Sequence, residues 1–142
     1  MKQTYETKHI GDMAFEMILD EHHKITMDAK EEVGGKDLGP RPKQLIITAL
    51  TGCSGMDVVS ILKKMRVDFD SFVIEVETQA SDEHPKVYTD IHIIYKFEGK
   101  DLEENRDKFE KAIDLSQERY CGVSAMLRKA TNLTHELKLI EK

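Results

Sequence analysis

The chain has 142 residues (16.3 kDa), is 39% hydrophobic and 34% charged, and sets 27 acidic against 21 basic side chains for a formal net charge of -6. Such a chain makes one domain or two small interlocked lobes, and folding can bury roughly two thirds of its unfolded surface without a disulfide or a metal. The composition excludes a disordered or membrane-embedded protein, and the acidic balance argues against nucleic acid or an anionic membrane as the main partner.

The first ten residues alternate polar and apolar side chains, with no apolar core and no cleavage site of a signal peptide. The most apolar stretch, 45–65, is interrupted by Thr48, Thr51, Ser54, Asp57 and Ser60, so no membrane span is expected. A cytoplasmic protein keeps its thiols reduced. Its two cysteines, Cys53 and Cys121, are then either inert packing or transient redox groups.

Met13, Phe15, Met17 and Leu19 fall on one face of a half-buried strand. A turn at 20–23 returns the chain as a second strand over 24–28, with Ile25 and Met27 inward, and 4–9 pairs beside them. Residues 30–39 are polar, carry three glycines and read as a loop. The first 38 residues therefore form a β-meander and loop. A central helix follows over 39–66, with Pro42 suited to its first turn and Lys63, Lys64 and Arg66 to its negative end. Its polar positions recur every three residues, which walks them around the cylinder and predicts a helix buried on all sides.

Residues 71–79 and 87–97 read as a hairpin, the second strand placing Val87, Thr89, Ile91, Ile93, Tyr95 and Phe97 on one face. Asp101 and Glu104 match a capping box for a helix to about 116 that turns Phe109, Ala112, Ile113 and Leu115 inward. A short helix over 121–129 and a closing strand over 133–140 complete 67–142. The architecture is α+β, a single domain of meander, central helix, hairpin, helices and closing strand.

Cys53 lies between Gly52 and Gly55, which bare the backbone beside the sulfur at a cost of roughly 1 kcal/mol each relative to Ala. A buried structural thiol is the plainer reading, and a site for a close-approaching ligand is the other. Cys121 stands at the start of the short helix, where the helix dipole and Arg119 favour a thiolate. Asp57, one turn beyond Cys53, would raise that thiol's pKa. The six histidines show no metal-ligand spacing, there is no phosphate-binding glycine loop, and nothing matches a Ser-His-Asp arrangement.

The segment from Gly39 to Arg66, GPRPKQLIITALTGCSGMDVVSILKKMR, resembles the central-helix signature of the OsmC/Ohr family. His84-Pro85, the IHIIY run at 91–95 and the AIDLSQERYCGV run at 112–123 resemble its second half in the same order, and the likeness is strongest to the YhfA-like branch. The resemblance implies antiparallel sheets around a long central helix and an intertwined homodimer with active sites at the subunit interface. It implies a thiol peroxidase for organic hydroperoxides, with Cys53 attacking, Cys121 resolving, a dithiol reductant restoring both, and neither metal nor organic cofactor. Where peroxidase members carry a glutamate ten residues before the attacking cysteine, this chain has Lys43, followed by Gln44, and no arginine precedes Arg41. Ten helical residues span about 15 Å, so Lys43 would reach a Cys53 only across subunits. Arg41, Lys43 or a lysine of the partner chain are the candidate replacements. The alternative is a family member that binds a small apolar molecule or senses oxidation without peroxidase turnover.

Overall fold

Three strands open the chain: β1 (Glu6–Gly11), β2 (Ala14–Ile18) and β3 (Lys24–Met27), in the order β1-β2-β3 and antiparallel throughout. A computed structural model describes residues 1–142, which divide into two compact units, Met1–Thr48 and Ala49–Lys142. In the first unit Phe15 pairs with Met27 and Met17 with Ile25, so the alternation read from the sequence sets one apolar face. That face is only partly covered: Met13 is 50% and Phe15 42% exposed.

The loop after β3 holds a single 3-10 turn at Glu31–Val33 and is organised by Asp28, whose carboxylate accepts the N–H groups of Ala29, Lys36 and Leu38. Burial opposes ionisation of Asp28, but those three donors and the Arg41 charge outweigh it and hold the carboxyl below its usual range. Gly35 is demanded by close approach, since a Cβ there would stand 2.0 Å from the Ala29 carbonyl oxygen.

Helix α1 (Pro42–Lys64) starts at the expected proline and ends with Lys63 and Lys64 in its last turn. The all-round burial expected of it is not found. Within the chain only Leu50, Ser54, Val58 and Leu62 are buried, a single stripe of four-residue spacing, while Met56 is 76% and Val59 43% exposed. The sequence pattern reports what all sides of the helix would tolerate, whereas one chain covers one side. By length and composition alone α1 is long and apolar enough to cross a membrane, a test that the core helix of a domain also passes. Here its buried stripe, polar Ser54 included, serves a domain interior.

In the second unit, β4 (Ser71–Ala80) and β5 (Tyr88–Gly99) form the expected antiparallel hairpin, with Ile91, Ile93, Tyr95 and Phe97 fully buried on one face. Phe97 stacks on Phe72 and leans on Phe109. The closing strand β6 (Asn132–Glu141) runs parallel to β5, so this sheet is mixed rather than antiparallel. Parallel neighbours need a crossover of a dozen or more residues. Here it contains α2 (Arg106–Leu115), a π-helical turn at Ser116–Tyr120, and α3 (Gly122–Arg128). The expected capping box does not form. Asp101 sits in the left-handed region (φ 57°), and a 3-10 turn at Glu103–Asn105 leads into α2 without a side-chain cap. Phe109, Ala112 and Ile113 are buried as read; Leu115 is half-buried.

A candidate thiol site

The crossover brings residue 121 back over the sheet to α1. Cys53, Asp57 and Cys121 present their sulfur and carboxylate atoms within 4.8 Å of one another. Both cysteines are free, Cys53 half-buried and Cys121 buried. Cys121 occupies the N-cap of α3, and its sulfur accepts the Ser124 N–H at 3.3 Å. The neighbouring Val123 N–H donates to the Cys53 sulfur. The first turn of α3 thus turns one backbone donor to each thiol.

Burial pushes the Cys53 thiol up from its ordinary value, Cys121 and Asp57 add to the rise, and the Val123 N–H alone opposes it. The groups acting most strongly on this sulfur include no cation.

Behind the site lies a buried hydrogen-bond chain. Gln117 Nε2 lies 2.7 Å from Tyr95 Oη, Tyr95 Oη 2.5 Å from Ser54 Oγ, Ser54 Oγ 2.9 Å from Ser116 Oγ, and Ser116 Oγ 3.0 Å from Asp57 Oδ2. Ser54, Tyr95, Ser116 and Gln117 are all buried. The two ends set its direction. The Arg128 guanidinium can only donate, and it holds Gln117 Oε1 at 3.2 Å, so the Gln117 amide N–H faces Tyr95. At the other end the Asp57 carboxylate oxygen accepts from the Ser116 hydroxyl. The protons therefore all point one way: Tyr95 donates to Ser54, Ser54 to Ser116, Ser116 to Asp57. Each link polarises the next toward the carboxylate.

The other residues singled out in the sequence are held elsewhere by their own partners. Arg41 donates to the Gly39 and Asp28 carbonyls and pairs with Asp37 inside the first unit. Gln44 Oε1 accepts the Arg41 N–H at the start of α1. Lys43 is exposed in the same turn. Arg119 is exposed and lies over the Tyr120 ring at 5.6 Å, so the thiols owe their donors to backbone N–H groups instead. Sequence reasoning missed the chain from Ser54 to Arg128. Its signal was there: Ser54 is the one polar member of the stripe formed with Leu50, Val58 and Leu62, and a buried hydroxyl must find partners.

The family model described as OsmC-like protein matches residues 34–136. The chain belongs to the OsmC-like family. Protein YhfA of Escherichia coli K12 is 36% identical over 118 residues, covering 83% of this chain and 84% of that protein. Among solved structures, a hypothetical protein from Aquifex aeolicus is 28% identical with a TM-score of 0.82, covering 100% of this chain and 98% of its own. The organic hydroperoxide resistance protein OhrB of Bacillus subtilis shares the fold at a TM-score of 0.64 and 19% identity, over 96% of this chain and 98% of its own. In this OsmC-like chain the two cysteines, 68 positions apart in sequence, form an adjacent pair.

Proposed function

We propose that this OsmC-like chain is a thiol peroxidase that reduces organic hydroperoxides in oxidative-stress defence, with Cys53 as attacking and Cys121 as resolving residue. The observation that carries the reading is the approach of the two sulfurs to within 4.8 Å in the reduced state. Cys53 is the more accessible and takes the first step. Its thiolate attacks the distal peroxide oxygen, the O–O bond breaks, and the alcohol leaves with one proton while the sulfur becomes sulfenic acid. The Cys121 sulfur then displaces water from that sulfenic acid to form a disulfide. A dithiol reductant gives up two electrons and two protons through exchange and restores both thiols. The apolar faces around Met56 and Phe15 suit a homodimer with the site at its interface, in the reducing setting of a cytoplasm.

One feature of the site favours the second reading, a small-molecule-binding or redox-sensing protein. The Cys53 thiol is pushed up and no cation is among the groups acting most strongly on it. Titration of the reduced protein with cumene hydroperoxide, scored by free-thiol loss, separates the two. The expected result is rapid loss of two thiols per chain in the wild type, loss stalled at one sulfenic acid in Cys121→Ser, and no rapid phase in Cys53→Ser. An inert wild type would sink the peroxidase reading, and a fully reactive Cys53→Ser would reverse the roles.

A further inference from the structure

Two sulfurs and a carboxylate that converge make a ligand set as well as a redox pair. A tetrahedral zinc with Zn–S near 2.3 Å and Zn–O near 2.1 Å holds its ligand atoms about 3.6–3.8 Å apart. The three donor atoms here all lie within 4.8 Å of one another, so no separation needs to close by more than about 1.2 Å, a side-chain adjustment. Two thiolates with one carboxylate select a borderline-soft ion, whereas calcium and magnesium require six or more oxygens.

The surroundings match a metal site in a second respect. Ligands of bound metals are held by hydrogen bonds from an outer layer of groups. Each of these three already has its own donor: Val123 N–H for Cys53, Ser124 N–H for Cys121, and Ser116 O–H for Asp57. Ser124 also carries a buried hydroxyl oxygen with no partner in the same turn.

We propose that Cys53, Cys121 and Asp57 of the reduced protein bind one zinc ion, leaving a fourth position open. Binding releases the two thiol protons, giving a site of two thiolates, one carboxylate and one Zn²⁺. The bound ion occupies both sulfurs, so it blocks their oxidation. Conversely, an oxidant that forms the Cys53–Cys121 disulfide takes two electrons from the thiolates and removes two of the three ligands, releasing the metal. The binding stands on the geometry alone; the block of hydroperoxide reduction rests on the function proposed above.

The test uses full-length protein, reduced and stripped of metal, titrated with Co²⁺ as a spectroscopic probe and then with Zn²⁺ against a chromophoric chelator. The wild type is expected to give a thiolate-to-cobalt charge-transfer band with the intense visible bands of a tetrahedral site, displaced by one Zn²⁺ per chain. Cys53→Ser and Cys121→Ser should each lose at least about 100-fold in affinity, beyond the 10–100-fold of an outer-layer loss. Asp57→Asn should lose about 10-fold. Wild-type protein oxidised to the disulfide should show no charge-transfer band, a control that needs no variant to fold. Absence of the band in reduced wild type, or zinc affinity unchanged in Cys53→Ser or in the oxidised protein, overturns the site. A separate assay of thiol loss to cumene hydroperoxide, with zinc and with chelator, reads the consequence. If the stripped protein reacts and zinc does not slow it, the block is refuted; if the stripped protein is inert while cobalt binds, the peroxidase reading fails and the metal site stands.

Discussion

Cys53 is the residue on which the chemistry turns, and its surroundings favour the protonated form. Burial, the Cys121 sulfur and the Asp57 carboxylate all raise its pKa, against one backbone donor. Only the thiolate is nucleophilic, and with the pKa raised it is a minor species near neutral pH. The rate of the first thiol's oxidation should therefore climb about tenfold per pH unit from pH 7 toward 9 and level off only above the ordinary thiol range. Asp57→Asn removes one like charge, which lowers that pKa, so the variant should react several-fold faster at neutral pH and its profile should shift to lower pH. Stopped-flow thiol loss across pH 6–10 checks both. A rate already flat between pH 6 and 9 would show that a cation, such as Arg41 or Lys43 of a second subunit, has made the thiolate in advance. Asp57 then has opposed effects that a single substitution separates: faster reaction with peroxide, weaker binding of metal.

At the level of elements, the buried hydroxyl chain is what ties α1 to β5 and to the π-helical turn. Tyr95→Phe keeps the ring against Phe72 but deletes the oxygen that bridges Ser54 and Gln117, leaving the Gln117 amide with only its longer 3.3 Å contact to Ser54 Oγ. The expected cost is about 1–3 kcal/mol in urea unfolding, with an unchanged slope against denaturant. Ser54→Ala should cost about the same, and the double variant less than the sum, because both break one network. A Tyr95→Phe protein as stable as the wild type would mean that the chain contributes position but no stability. How far these elements were legible follows from what each signal measures. Period-two alternation located β2, β4, β5 and β6 to within a residue or two, because each strand has a covered and an uncovered face. It could not reveal that β6 runs parallel to β5, since direction depends on the crossover and not on the strand's own residues. The Asp101–Glu104 spacing misled because Asp101, left-handed, turns the chain out of β5, and a 3-10 turn at Glu103–Asn105 stands between it and the start of α2. The cysteine pair was legible only through resemblance: no local pattern in residues 112–123 announces a π-helical turn that seats Cys121.

For the whole molecule, the decisive mismatch is α1, apolar on every side yet buried on one. Met56 and Val59 stand exposed on the helix beside Gly52, where an added Cβ would meet nothing within 4 Å, and Phe72 and Ile74 of β4 line the same depression. An apolar face of this kind on a small protein is costly in water and marks an interaction surface. The bare glycine lets another backbone come close. If a second copy covers it, the protein should sediment at twice 16.3 kDa. Placing a charge at the centre of such an interface leaves it desolvated and unpaired, so Val59→Glu should shift the equilibrium to monomer by 100-fold or more, corresponding to roughly 3 kcal/mol. Met56→Glu should act alike. Because Val59 is exposed in the single chain and lies outside the buried stripe of Leu50, Ser54, Val58 and Leu62, the helix content by circular dichroism should be unchanged. Sedimentation velocity over a hundredfold concentration range reads the outcome. A wild type that stays at 16.3 kDa at every concentration would refute the dimer. A Val59→Glu chain that remains dimeric would move the interface to the open face of the first sheet, around Met13 and Phe15, where the same experiment with Phe15→Glu then decides.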